Sequence, residues 1–307
     1  MAATRALIED RRVLGIGLGL VSYFLFTCID GSAKWLALAG IPAVQIAFLR
    51  YSVHLGISLA INIPRTGTTV FRSANLPLAL LRAICLLAST LLNFIAISYL
   101  PLTTTSAIMF TMPLMLSALS VPLLGEQVGW RRWTAIFIGF LGILVIVRPG
   151  TTAFHPAALL SLGGAFFSAL YFILTRRLAA VDSIATQQIY PALVATLAVL
   201  PFVLTGWVWP DDMTGWILFF LVGVFGFLSH QFSAGAHRFA PASLLAPFSY
   251  TQIIWMSAVS WLVFAQPPDA AIIIGAPIII GSGLYIWLRE RQLKTDVVAT
   301  TPAAPER

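Results

Sequence analysis

The stretch SAIMFTMPLMLSALSVPLLGEQVGWRRWTAIFIGFLGILVIV, residues 106–147, holds two apolar runs separated by a break containing Gly125, Glu126, Arg131 and Arg132. A helix needs about 20 apolar residues to cross roughly 30 Å of hydrocarbon. With their flanks, the runs on either side of the break, 102–123 and 132–148, approach or reach that length. Lipid offers a spanning backbone no hydrogen-bond partner, so each run is expected to satisfy its own backbone as a helix. The pattern returns loosely at residues 243–288, SLLAPFSYTQIIWMSAVSWLVFAQPPDAAIIIGAPIIIGSGLYIWL. There too a Ser-initiated run with an early proline meets a polar stop, Gln266 in place of Glu126. A glycine-spaced run follows, with Gly275, Gly281 and Gly283 against Gly139 and Gly142.

Outward from these hairpins the same criterion finds ten runs: 13–37, 42–62, 76–98, 102–123, 132–148, 156–176, 185–205, 214–235, 240–264 and 270–288. Pro64-Arg65-Thr66-Gly67, Arg148-Pro149-Gly150 and Gln266-Pro267-Pro268 punctuate the breaks. Of the 307 residues 59% are hydrophobic and 9% charged, against about 25% charged in a soluble domain. Too little charge remains to solvate a globule of this size, and the fold class is all-α, a polytopic membrane protein. Ala37-Leu38-Ala39 imitates a signal-peptide cleavage site, but the first run is long for that role and carries Asp30 and Lys34, so it reads as a span. Cys28 and Cys85 both lie in apolar runs and read as buried small hydrophobes rather than a disulfide or metal site.

A net charge of +7 would suggest nucleic acid in a soluble protein. Here the basic residues fall in short clusters between apolar runs, and no nucleic-acid partner is expected. Threading ten spans from a cytoplasmic N-terminus puts 14 of the 18 Lys and Arg residues inside, leaves Lys34, Arg50 and Arg82 within spans, and puts only Arg148 outside. That is the positive-inside pattern of an inner-membrane protein with both termini cytoplasmic. The outer loops hold Asp211, Asp212 and Asp269. The segment 290–307 has little apolar content and is expected to be a disordered cytoplasmic tail.

The ten spans divide at Pro149-Gly150 into five and five, residues 12–149 and 155–289. A repeat with an odd number of spans inserts its second copy upside down. Inverted repeats place a binding site near the midplane and let the halves open alternately to either side. The architecture therefore favours a secondary transporter of a small metabolite over a membrane enzyme.

Pro101-Leu102 through Pro113 to Leu124-Gly125-Glu126, then Arg131-Arg132-Trp133 and a Gly-rich run ending Arg148-Pro149-Gly150, resembles the EamA domain of the drug/metabolite transporter superfamily. The second-half stretch Ala246-Pro247-Phe248-Ser249-Tyr250-Thr251-Gln252, with Trp261-Leu262-Val263-Phe264 and Gly281-Ser282-Gly283-Leu284-Tyr285, is similar to the same domain. The resemblance spans residues 12–290 and is nearest to the branch of bacterial riboflavin and S-adenosylmethionine carriers. It implies two inverted five-helix repeats and a bilayer-embedded carrier, monomeric or homodimeric, without a cofactor. Gln266 stands where many such proteins carry Glu.

Charge inside a span is costly, which makes each such residue a candidate. Asp30 and Lys34, four apart on one helix face, either neutralise each other or serve as a coupling site or gate. Arg50 needs a partner, and Asp30 is the one acid within the runs, so Arg50 either ties to Asp30 between helices or contacts the substrate. Both join the coupling or gating set. His54 lies one turn from Arg50 and is either a titrating group or a packing residue. Arg82, Ser89 and Asn93 form a stripe that lines a cavity or packs against another helix. His230, Tyr250, Gln252 and Trp255 complete the candidate substrate-binding set, and Gln187, Gln188 and Tyr190 add polarity on the seventh run.

One intramembrane acid does not make an aspartyl protease, the four histidines fit no metalloprotease motif, and no phosphate-binding loop supports ATP-driven pumping. A non-transporting scaffold or lipid-modifying protein is the rival class. Three fixed cations against one acid within the spans disfavour a cationic substrate. With the aromatic residues of the candidate spans, this points to a flat, uncharged metabolite, riboflavin first, taken up. Amino acids and S-adenosylmethionine, imported or exported, are the alternatives.

Overall fold

The computed structural model describes residues 2–125, 129–178, 181–240 and 245–300. Its helices are α1 (Ala2–Leu38), α2 (Ala43–Thr66), α3 (Leu76–Tyr99), α4 (Leu102–Met109), α5 (Met112–Leu124), α6 (Trp130–Val147), α7 (Ala157–Leu178), α8 (Ile184–Val203), α9 (Met213–Phe239), α10 (Gln252–Leu262) and α11 (Ala270–Thr300). Short 3-10 helices cover Gly67–Phe71 and Ala246–Thr251. Local chemistry sets the starts: the Asn75 side chain accepts from the Leu78 amide, the Ser183 hydroxyl from Thr186 and the Asp212 carboxylate from Gly215. Pro42 and Pro101 immediately precede α2 and α4 with extended backbone.

Among the described residues nine helical segments are long and apolar enough to cross a membrane. One is α4 with α5, broken at Phe110 and Thr111, where Pro113 lacks the amide hydrogen that would bond back to Met109. Of the expected span 240–264, residues 241–244 lie outside the described residues; the remainder holds the 3-10 helix Ala246–Thr251 leading into the 11-residue α10. α11 runs to Thr300, into the segment expected to be a tail; residues 285–300 contain neither Gly nor Pro, and residues 301–307 lie outside the described residues.

Taking α4 with α5 as the fourth crossing and the 3-10 turn with α10 as the ninth, the helix pairings obey an internal symmetry. The first crossing packs on the eighth (α1 on α9) and the sixth on the third (α7 on α3). The second packs on the eighth and the seventh on the third, while the pairs α2 with α8 and α6 with α11 map onto themselves. Adding five to each first-half crossing reproduces each of these pairs, which is the contact pattern of two repeats related by a pseudo-two-fold axis. The α6–α11 seam is tight enough that a Cβ on Gly275 would lie 2.8 Å from the Gly142 carbonyl oxygen.

The halves pack along the length of the bundle, and polar contacts also join them at both ends. On the face shared by the starts of α3 and α8, Asp182 accepts from the Ser73 hydroxyl at 2.6 Å and the Ala74 amide at 2.8 Å. There the Tyr190 hydroxyl also donates to the Phe71 carbonyl, and Arg177 reaches the Leu123 carbonyl. On the opposite face Gln45 exchanges two hydrogen bonds with the Val208 backbone, and Arg148 pairs with Asp269 at 2.6 Å. Arg148 and Ala265 are the non-glycine residues with left-handed backbone, φ 49 and 53. Each lies in or beside a contact between the halves on that face.

Candidate functional site

The intramembrane polar residues sort into three groups, and the partners of each decide what it can do. At the end of α1, Lys34 is 2% exposed and donates to the Leu100 carbonyl and to Gln266 Oε1, both at 2.7 Å. Its ammonium also lies 5.4 Å from the Phe264 ring. The expected Asp30–Lys34 ion pair is therefore not formed, because carbonyl oxygens from two other elements claim the lysine. The left-handed Ala265 turns the chain there, held by the Ser260 hydroxyl donating to the Gln266 carbonyl. Gln266 thus works as a hydrogen-bond acceptor for Lys34, a clamp at the end of the bundle.

The second group surrounds Arg82, 4% exposed on α3. Its Nε donates to Thr175 Oγ1 at 2.6 Å, Nη1 to the Gln187 carbonyl at 2.6 Å and Nη2 to the Tyr171 hydroxyl at 2.7 Å. The guanidinium also lies 4.5 Å from the Tyr171 ring centroid. Every guanidinium nitrogen has a protein acceptor, so Arg82 binds α3 to α7 and α8. Ser89, two turns along the same stripe, bonds Ser168 of α7 at 2.8 Å. The stripe read from the sequence faces protein throughout, as lipid exclusion requires.

The third group is related to the second by the internal symmetry but is filled differently. It lies on α1, α2, α3 and α9, between the two halves. Asn93 donates to Asp30 Oδ1 at 3.1 Å. Arg50 donates to Thr90 Oγ1 at 2.8 Å, and Tyr51 shares that oxygen at 2.6 Å. The Arg50 guanidinium lies 5.1 Å from the Tyr51 ring and 5.7 Å from Phe94. No ion pair joins Asp30 to Arg50 among the described residues. The expected tie between them is corrected accordingly: Thr90 and two aromatic faces satisfy the arginine instead.

His54 stands 5.8 Å from His230 by ring centroids and packs edge-on against Phe227 at 5.6 Å. His230 in turn meets Phe26 edge-on at 5.3 Å. Two buried polar atoms in this group, His54 Nε2 and Asn93 Oδ1, have no hydrogen-bond partner among the described residues. Other buried atoms without a partner among the described residues, such as Ser58 Oγ, Thr103 Oγ1 and Ser161 Oγ, stand singly elsewhere in the bundle, whereas these two share one cluster. The Phe26, Phe227 and Phe94 rings pack against His230, His54 and Arg50 respectively.

The remaining candidates stand elsewhere. Tyr250 lies 5.4 Å from Phe110, where the two broken crossings meet. Gln252 begins α10 and makes no side-chain hydrogen bond among the described residues. Trp255 is 39% exposed and packs edge-on against Phe24, on the outer surface of the bundle. Gln188 lines a separate cleft of about 250 Å³ with Asn62, Gln231 and Arg238, on the face of the α8 start. Thr90, Tyr51, Phe26 and Phe227 were not among the residues read from the sequence. Thr90, one turn before Asn93, carried the only periodic signal. Glu126 lies outside the described residues.

A solved crystal structure superposes with TM-score 0.63 at 18% identity, covering 93% of this chain and 99% of the other, which is a likeness of fold. A riboflavin transporter of Vibrio cholerae is 29% identical over 87% of this chain and 90% of its own length. An S-adenosylmethionine uptake transporter of Rickettsia felis is 26% identical over 91% and 94%. The pseudopaline exporter CntI of Pseudomonas aeruginosa is 26% identical over 89% and 96%. The profile of the EamA-like transporter family matches twice, over residues 13–148 and 155–288. A multi-pass helical bundle with repeating helix pairings, an unsatisfied polar cluster between its halves and this double match together have one meaning: the chain belongs to the EamA-like transporter family, whose members are transporters and not enzymes.

Proposed function

We propose that this chain takes up a flat, uncharged metabolite, riboflavin first, by alternating access of residues 12–149 against 155–289, with the substrate held among Asp30, Arg50, His54, Asn93 and His230. The observation that carries the reading is the contrast between the two symmetry-related clusters. Around Arg82 every guanidinium nitrogen has a partner, whereas around Asn93 and His54 two buried polar atoms have none among the described residues. A ligand with a ring system for the aromatic side chains and polar edges for those atoms matches the second cluster.

Lys34 is held at the end of the bundle and Arg82 lies in a separate cluster of neutral acceptors, so the charged groups within the cluster itself are Asp30 and Arg50. One acid and one base favour a net-neutral cargo, in agreement with a riboflavin carrier among the relatives. A second reading rests on Asp30, which has no ion-pair partner among the described residues and suits a cationic centre such as that of S-adenosylmethionine. The basic-residue distribution supports placement in the inner membrane with both termini cytoplasmic.

The test is growth of a riboflavin auxotroph on limiting vitamin with and without the gene, with radiolabelled riboflavin and S-adenosylmethionine uptake in the same strain. The proposal expects gene-dependent growth and saturable riboflavin uptake. Flux of S-adenosylmethionine alone would move the assignment to the second reading, and no flux of any solute would favour a scaffold.

A further inference from the structure

Helices α6 and α11 touch backbone to backbone at Gly142 and Gly275, yet toward the start of α6 a groove of about 460 Å³ opens between them. That volume falls within the roughly 300–1,000 Å³ of small-molecule sites. Its floor is made by small residues, Ala135 on α6 and Gly281 on α11, flanked by Ile138 and Ile278. At its mouth stand Arg131 and Tyr285, with Trp130 beside them. Ile138 is 46% and Tyr285 44% exposed, so the groove is open on the outside of the bundle.

Its polarity is graded along the helix axis. Arg131 and Ile138 are seven residues apart, about 10 Å of rise. A guanidinium flanked by Trp and Tyr, the residue types of the membrane interface, therefore gives way within two turns to hydrocarbon. The Arg131 guanidinium lies 5.6 Å from the Trp130 ring, and no carboxylate pairs with it among the described residues. A water-soluble ligand would not match the apolar inner end. A second copy of this chain, packed by a two-fold axis on the same face, would bring Arg131 near its own copy and oppose like charges.

We propose that this groove seats an anionic phospholipid, its phosphate on Arg131 between Trp130 and Tyr285 and one acyl chain along Ala135, Ile138 and Gly281. The site is separate from the polar cluster between the halves and does not depend on which solute is carried. It bridges the last crossing of each repeat, so an occupied groove fastens the two halves along the α6–α11 seam.

The experiment is native mass spectrometry of the full-length purified protein with an equimolar mixture of phosphatidylglycerol and phosphatidylcholine of identical chains. The wild type is expected to retain phosphatidylglycerol over phosphatidylcholine by roughly fivefold, the effect of about one basic residue near an anionic headgroup. Arg131→Gln is expected to bring the two lipids to near parity. Gly281→Leu fills the groove without a clash, since a Cβ there meets nothing within 4 Å, and is expected to reduce retention of both. Equal retention by the wild type, or a preference unchanged by Arg131→Gln, overturns the proposal. So does a dimer that Gly281→Leu splits while lipid retention stays constant, which would make the groove a subunit interface. If Gly281→Leu does not accumulate, Arg131→Gln on the exposed surface decides alone.

Discussion

Asp30 and Lys34 stand one turn apart on α1, yet their neighbours give them separate tasks. Lys34 is spent on a backbone carbonyl and Gln266, and Asp30 receives only Asn93 among the described residues. Arg50 keeps its hydrogen bond to Thr90 and two aromatic faces whatever happens to Asp30. Asp30→Asn is therefore expected to accumulate close to wild-type level while losing at least tenfold in uptake. Arg82→Leu should do the reverse damage. Removing its guanidinium abandons three buried acceptors at about 1–3 kcal/mol each, a total of roughly 3 kcal/mol or more. Expression and melting of the purified protein should fall sharply in that variant. Comparable melting of the two variants would contradict the distinction between a binding cluster and a fastening cluster. Residue spacing made both candidates visible, because charges in a span are few and conspicuous. Their partners were not legible: Thr90, Thr175 and the Gln187 carbonyl are ordinary groups whose role comes from which helices the fold brings together.

Among the helices, the ones the sequence displayed best are those that lipid dictates. Nine of the ten apolar runs are present as membrane-length helices because a spanning backbone has no other way to satisfy its bonds. In the run at 240–264, of which residues 241–244 lie outside the described ones, a 3-10 turn precedes α10, and periodicity alone does not report such a turn. α11 runs past residue 290, where Arg, Gln, Leu and Lys are helix formers that low hydropathy does not exclude. Close approach of helices is set by glycine. Gly142 and Gly275 face each other's carbonyls, so Gly142→Leu is expected to prise α6 from α11 and lower melting by several degrees or prevent accumulation. Gly17→Ala, on α1 with nothing within 4 Å of the added carbon, should leave both unchanged. Equal tolerance at the two positions would show that the α6–α11 seam does not depend on backbone contact.

Seen whole, the chain has two halves packed along α1–α9, α3–α7 and α6–α11, with a central cluster that holds buried polar atoms without partners among the described residues. Asp182 with Ser73 on one face, and Lys34 with Gln266 on the other, are individually weak bonds that add little to that packing. The division into five and five was legible from the echo of 106–147 in 243–288. That the polar residues of the two halves would be occupied so unequally was not, since Arg82 and Arg50 are alike in sequence context and differ only in what surrounds them. The central claim is that substrate sits at the unsatisfied cluster. Titrating purified protein into riboflavin and following the vitamin's own fluorescence tests it most directly, with Asn93→Leu and His54→Phe as comparators. The account predicts a saturable change for the wild type and at least a tenfold weaker one, about 1.4 kcal/mol, for either variant. Saturable binding that both variants leave untouched would contradict it.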